Sequence, residues 1–269
     1  MFKTRLISGI VLIVLALLTI ISGGTILWIT LLALSIIGMQ EFYAAVKVRD
    51  GQFNLLELAG YFCAIFYYVS LYVFQVTSLW VTCAVPLLVL FAVYVFSYPK
   101  YSISQVAMSY FGFVYVAIMM SFIFALRTHG GGVFLVWLIF ISAWGCDTLA
   151  YCTGTLFGKH KMSPVLSPKK SIEGAIGGVL GAAALGAAYA VILNANHLMR
   201  IEKPWLYALI CGIGALVSMV GDLSASAIKR QSGIKDFGNL IPGHGGILDR
   251  FDSVIFVAPI LYFLATGMF

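Results

Sequence analysis

Between Ser226 and Asp252 the chain reads SAIKRQSGIKDFGNLIPGHGGILDRFD, and in these 27 residues acids, cations and glycines crowd together. Asp236, Asp249 and Asp252 share the stretch with Lys229, Arg230, Lys235, Arg250 and His244, although only 10% of the 269 residues are charged. Asp249 and Asp252 are three residues apart, so a helix would carry both on one face. Two carboxylates beside a glycine-rich turn and a group of cations suit a divalent metal carrying phosphates. The turn Pro242-Gly243-His244-Gly245-Gly246 is expected to leave backbone amides open and to let a ligand come close. His244 could serve there as a metal ligand, as a phosphate donor, or simply as a histidine satisfied within the turn.

Two more acids lie inside apolar runs. Asp147 sits in SAWGCDTLAY and Asp222 follows Gly221. An ionisable residue within a membrane span is costly and is a functional candidate by default; the plainer alternative is an acid paired with a lysine near the membrane edge. From Asp222, Ser226 and Lys229 follow at i+4 and i+7, one helical stripe of acid, hydroxyl and cation. The segment GKHKMSPVLSPKKSIEGAIGG adds Lys159, Lys161, Lys169 and Lys170 on a path stiffened by Pro164 and Pro168. Ser171 could cap the helix that follows, whose first N–H groups would then face an anion. Glu173 in that first turn could be no more than a dipole-favoured residue, and a basic loop can also reflect topology and anionic lipid. His129, His160 and His197 have no partner spacing and are expected to be solvated.

The elements that must position these residues are membrane helices. Hydrophobic residues make up 62% of the chain, and apolar runs of spanning length recur along it. The fold class expected is all-α, a polytopic integral membrane protein of about nine transmembrane helices. The spans run 6–21, 26–46, 55–74, 79–98, 106–126, 133–157, 172–194, 205–228 and 251–267. With the N-terminus cytoplasmic, thirteen of the sixteen Lys and Arg fall on the inner side, and only Arg127, Arg200 and Lys203 fall outside. This bias is what the positive-inside rule requires, and an odd count puts the C-terminus outside. The basic start before Leu6 resembles a signal peptide but lacks a small-residue cleavage site, so the first run is expected to stay as a helix. The five cysteines lie in apolar runs without CxxC spacing and are expected to be packed thiols.

The halves differ in character. Residues 1–126 hold about five helices with little polar content, a scaffold. Residues 127–269 hold about four, with cytoplasmic loops 158–171 and 229–250, and are the expected catalytic half. Gly154xxxGly158, Gly177xxxGly181 and Ala182xxxGly186 place small residues where helix backbones can approach closely.

The polar stretch resembles the signature of the phosphatidate cytidylyltransferase, or CDP-diacylglycerol synthase, family. Ser226, Lys229, Arg230, Lys235, Asp236, His244, Gly245, Gly246, Asp249, Arg250 and Asp252 match its S-x-x-K-R, K-D, H-G-G and D-R-x-D elements without departure. The likeness continues upstream through Asp147, Gly158-Lys159, Ser167-Pro168-Lys169-Lys170 and Glu173-Gly174, covering the C-terminal half. It implies transfer of CMP from CTP to phosphatidate, giving CDP-diacylglycerol and pyrophosphate with Mg²⁺ and room for a second cation. It assigns Asp222, Asp249 and Asp252 to the metal and Lys229 and Arg230 to the reacting phosphates. Lys235 and Arg250 would bind substrate, as would Asp147, Lys169, Lys170, Ser226 and the His244-Gly245-Gly246 turn. The partners implied are CTP, phosphatidate and membrane lipid at the inner (cytoplasmic) membrane, with no nucleic acid and a homodimer as the expected assembly.

Three other classes stay open on the residues alone. A cation-coupled transporter would explain intramembrane acids but predicts them near the midplane in both halves. A lipid-binding or assembly protein would explain the basic inner face without needing Asp249 and Asp252 in register with a glycine turn. A CTP-dependent enzyme acting on another lipid alcohol differs only at the signature.

Overall fold

The computed structural model describes residues 2–49, 51, 53–74, 80–201, 203–243 and 245–268. The start of the fourth expected span and His244 lie outside them. The protein is an all-α polytopic membrane protein. Among the described residues six continuous helices are long and apolar enough to cross a membrane: Gly24–Ala45, Leu55–Val73, Ile103–Thr128, Gly132–Phe157, Ile172–Ala195 and Pro204–Gln231. Two shorter apolar helices, Gly9–Ser22 and Thr82–Phe96, accompany them. The chain forms two compact units, Met1–Phe124 with Gln231–Arg250, and Ala125–Arg230 with Phe251–Phe269.

The first unit contains α1 (Phe2–Ser22), α2 (Gly24–Ala45), α3 (Leu55–Val69), α4 (Val85–Phe96), α5 (Ile103–Gly112) and the start of α6 (Met119–Thr128). Gly23 and Gly24 break α1 from α2 with φ of 62° and 48°, a left-handed reversal that glycine makes at little steric cost. Asn54 caps α3 through the Glu57 amide, and Ser102 with Gln105 forms a capping box on α5. The core around Met39, Phe42, Tyr43 and Tyr68 is fully buried. Tyr43 donates its hydroxyl to the Ser109 carbonyl at 2.8 Å, a partner that a buried phenol requires. Glu57 is buried too, accepting from Tyr61 Oη at 2.5 Å and lying 3.9 Å from Arg49 Nη1.

The second unit contains the end of α6, then α7 (Gly132–Leu135), α8 (Trp137–Phe140) and α9 (Cys146–Phe157). A β-hairpin follows, β1 (Lys161–Ser163) and β2 (Ser167–Ser171). Then come α10 (Ile172–Ala195), α11 (Pro204–Gln231, to Arg230) and α12 (Leu248–Met268, from Phe251). The loop expected over 158–171, its path stiffened by two prolines, contains a small antiparallel pair, Lys161 opposite Ser171 and Ser163 opposite Ser167.

Small residues weld α10 to α9. A Cβ on Gly178 would stand 3.0 Å from the Cys146 carbonyl and 2.9 Å from the Ala150 methyl, and one on Gly177 would strike Thr153. On Gly186 it would meet the Tyr207 carbonyl of α11 at 2.7 Å. The small-residue spacing is thus used for close backbone approach. All five cysteines are free thiols; Cys63, Cys146 and Cys211 are buried, while Cys83 and Cys152 are exposed.

Candidate active site

In the second unit, α9, the hairpin, α10 and α11 surround a cavity of about 580 Å³. Asp147, Lys169, Lys170 and Asp222 all line it, together with Lys161, Ser167, Tyr151 and Thr155. Lys170 Nζ is ion-paired with Asp222 Oδ2, and each side chain keeps about a quarter of its surface exposed (26% and 25%). Local chemistry holds the hairpin here. Ser171 Oγ accepts the Gly174 amide at 3.1 Å and Ile172 donates to the His160 carbonyl at 2.9 Å. Two of the first α10 amides, expected to face an anion, are therefore already taken. Glu173 is more than a dipole-favoured residue. It accepts the Lys159 and His160 amides at 3.1 and 3.2 Å, and His160 Nδ1 lies 2.6 Å from its Oε1. His160, expected to be solvated and without a partner, is exposed but paired.

Asp252 approaches the same acids. It is 8% exposed, its Oδ1 accepts the Ser253 amide at 2.8 Å, and the charges acting on it are those of Asp222, Lys229 and Asp147. Ser253 Oγ lies 3.5 Å from Asp147 Oδ2. A Cβ at Gly221 would press on the Asp252 carbonyl at 2.8 Å, so glycine lets α11 and α12 meet beside these carboxylates. Ser226 and Lys229 continue along α11 from Asp222, half-buried, and Arg230 follows at the exposed end. Among the described residues, no three His, Cys, Asp or Glu side chains form a ready-made metal cage. The donors present are carboxylate oxygens, the type a hard cation takes. Mg²⁺ characteristically uses one or two carboxylates and completes its shell with water and substrate phosphate.

In the first unit a second, polar recess of about 530 Å³ is lined by Lys235, Asp236, Asn239, Gly243, Gly245 and Arg250, with Gly238 and Ile241. Its wall is the segment that precedes α12, and two buried carboxylates hold that wall. Asp249 Oδ2 accepts the amides of Phe237 at 2.8 Å and Gly246 at 3.0 Å. Glu41, from α2, accepts the amides of Ile247 at 3.0 Å and Leu248 at 2.8 Å. The Gly246 amide, in the turn expected to leave its amides open, is occupied by a protein carboxylate, as are the amides of Ile247 and Leu248 that follow. The glycines answer to the same packing. Gly245 takes φ +87°, and a Cβ on it would lie 2.8 Å from Asp249 Oδ2, while one on Gly246 would overlap the Glu41 carboxylate. These glycines make room for the two acids.

Glu41 was not among the residues expected to matter. The signal that marks Asp147 and Asp222, an acid inside an apolar span, applies equally to Glu41 at the end of α2, within a half otherwise read as scaffold.

The sequence has counterparts among known proteins. The chain matches the profile of the Cytidylyltransferase family over residues 3–267. It is 32% identical over 272 residues to the phosphatidate cytidylyltransferase of Staphylococcus haemolyticus (strain JCSC1435), covering 99% of this chain and all of the relative. Against the proteins of the same name from Staphylococcus saprophyticus subsp. saprophyticus (strain ATCC 15305) and Staphylococcus aureus (strain COL) the identities are 30% and 32%, over 97% of this chain and 98% of each relative. Matched nearly end to end, the chain belongs to the Cytidylyltransferase family.

Proposed function

We propose that the protein is a phosphatidate cytidylyltransferase, joining CTP and phosphatidate into CDP-diacylglycerol and pyrophosphate at the inner face of the cytoplasmic membrane. The observation that carries this reading is the cavity shared by Asp147, Lys169, Lys170 and Asp222, in a chain of this family. A phosphate monoester has its second pKa near 6, so phosphatidate arrives largely ionised and needs little help from a general base. Its phosphate oxygen attacks the α-phosphorus of CTP. The bond from that phosphorus to the bridging oxygen breaks, and pyrophosphate leaves with the electron pair. The obstacle is repulsion between a dianion and a polyanion, and neutralisation with in-line positioning overcomes it.

Lys169 and Lys170 receive the lipid phosphate, and Lys229 and Arg230 the transferring phosphates. Lys235 and Arg250 hold the remaining nucleotide phosphates. Asp222 and Asp252 would hold Mg²⁺, which when bound offsets charge on the phosphate oxygens. The Lys170–Asp222 pair keeps each side chain oriented before substrate arrives, and the lysine exchanges its carboxylate partner for phosphate on binding. Asp249 acts on the segment before α12, where its carboxylate is already engaged. Functionally, 127–269 and the loops 158–171 and 229–250 carry the chemistry, and Glu41 is the contribution of 1–126. The reading includes a homodimer, which light scattering in detergent checks at the mass of two chains.

The test is purified protein in detergent with phosphatidate, labelled CTP and Mg²⁺, following label into the lipid phase. Lipid label that disappears with EDTA and in both Asp222→Asn and Asp252→Asn supports the enzyme and its acids. Label that persists in the variants keeps the reaction and discards the acid assignment. Folded protein that yields no lipid label ends the reading.

A further inference from the structure

Glu41 combines features that a scaffold position does not require. The residue is 8% exposed, and both of its carboxylate oxygens accept backbone amides 206 and 207 positions away. Those amides open α12, where free N–H groups and the positive end of the helix dipole would otherwise draw in an anion. Glu41 occupies that place with an internal negative charge. It also shapes the chain on either side. A Cβ on Gly238 would come to 2.5 Å from Glu41 Oε1, and one on Gly246 would overlap both oxygens. Gly238 lines the polar recess, and Gly246 follows Gly245, which lines it too. One buried side chain therefore packs against the chain at two points of the recess wall, Gly238 and Gly246.

We infer that Glu41 is a positioning residue for nucleotide binding: by closing the amides at the start of α12 and supporting Gly238 and Gly246, it holds the recess of Lys235, Asp236 and Arg250 in the shape that accepts the triphosphate. The inference rests on the cytidylyltransferase reading above. It adds that CTP polyphosphate is held by side-chain cations of this recess and not by the α12 amides. Glu41→Gln preserves volume but turns an amide donor toward N–H groups that need an acceptor. Glu41→Asp keeps the charge and withdraws it by one methylene.

The experiment measures equilibrium binding of labelled CTP to the full-length protein in detergent, with steady-state KM for CTP and for phosphatidate and thermal melting of each form. Expected is a loss of CTP affinity of about 10- to 100-fold in Glu41→Gln, with KM for phosphatidate unchanged and partial recovery in Glu41→Asp. Hydrogen exchange at 245–250 should quicken in Glu41→Gln while α9 and α10 keep their protection. Wild-type CTP affinity in a folded Glu41→Gln protein overturns the inference and leaves the enzyme reading intact. So does a loss that affects both substrates equally and tracks the melting temperature, since that marks general stability. A wild-type protein that binds no CTP removes the enzyme reading and the inference with it.

Discussion

Glu41 and Leu248 stand 207 positions apart in the chain, and the carboxylate of one accepts the amide of the other at 2.8 Å. With the neighbouring bond to Ile247 and the two made by Asp249, four amides around the start of α12 are satisfied by two buried carboxylates. Buried amides need such partners, and a carboxylate makes a stronger bond than a neutral acceptor.

Asp249 and Asp252 therefore answer differently to the same change. Asp249→Asn loses a charged acceptor of two amides and is expected to cost about 2 kcal/mol of stability, seen as a lower melting temperature in detergent. Asp252→Asn removes a buried charge whose field partners include two other acids, Asp222 and Asp147. It should leave melting unchanged or raised while transfer falls by at least about 100-fold. Equal melting losses in the two variants would contradict this division.

The ion pair between Lys170 and Asp222 can be read by a double-mutant cycle. Lys170→Met should raise KM for phosphatidate by about tenfold, and Asp222→Asn should raise it by about threefold while also lowering kcat. In the double variant the KM effect should be no larger than in Lys170→Met alone. A strictly additive KM cycle would show that the pair does not share one site.

Gly246→Ala places a methyl group against the Glu41 carboxylate and is expected to weaken CTP binding and lower the melting temperature together. Gly233 has φ +70° and nothing within 4 Å of its would-be Cβ. Gly233→Ala should cost only the left-handed backbone penalty, about 1 kcal/mol, with CTP binding unchanged. Comparing CTP titrations of the two separates steric conflict with Glu41 from backbone strain.

Packing between α9 and α10 can be tested by its effect on melting. Gly178→Leu should destabilise by about 3 kcal/mol, because the Cys146 carbonyl and Ala150 stand where the side chain would go. Gly130→Ala, with open space around it, should melt as wild type. Differential scanning fluorimetry in detergent decides, and a neutral Gly178→Leu would mean that the two helices are not closely packed in solution.

Much of this was legible along the chain because it is periodic or local. Apolar runs marked the membrane helices, since backbone in lipid must bond within its own segment. The signature polar residues stood out against a composition with few charges, and Ser171 could be read as a cap from its place before an apolar run. The hairpin at 161–171 was not legible, because three lysines and two prolines carry no strand alternation.

What the sequence determined by itself is the membrane class, the family and the set of acids and cations available for transfer. Only the tertiary structure decided how those groups are divided. Asp147, Lys170 and Asp222 share a cavity, Asp249 turns to the amides of its own loop, and Glu41, from a helix that reads as plain scaffold, closes the start of α12. The physical reason is that spacing along a helix tells which residues share a face, whereas the satisfaction of a buried amide depends on whichever acceptor the fold brings to it.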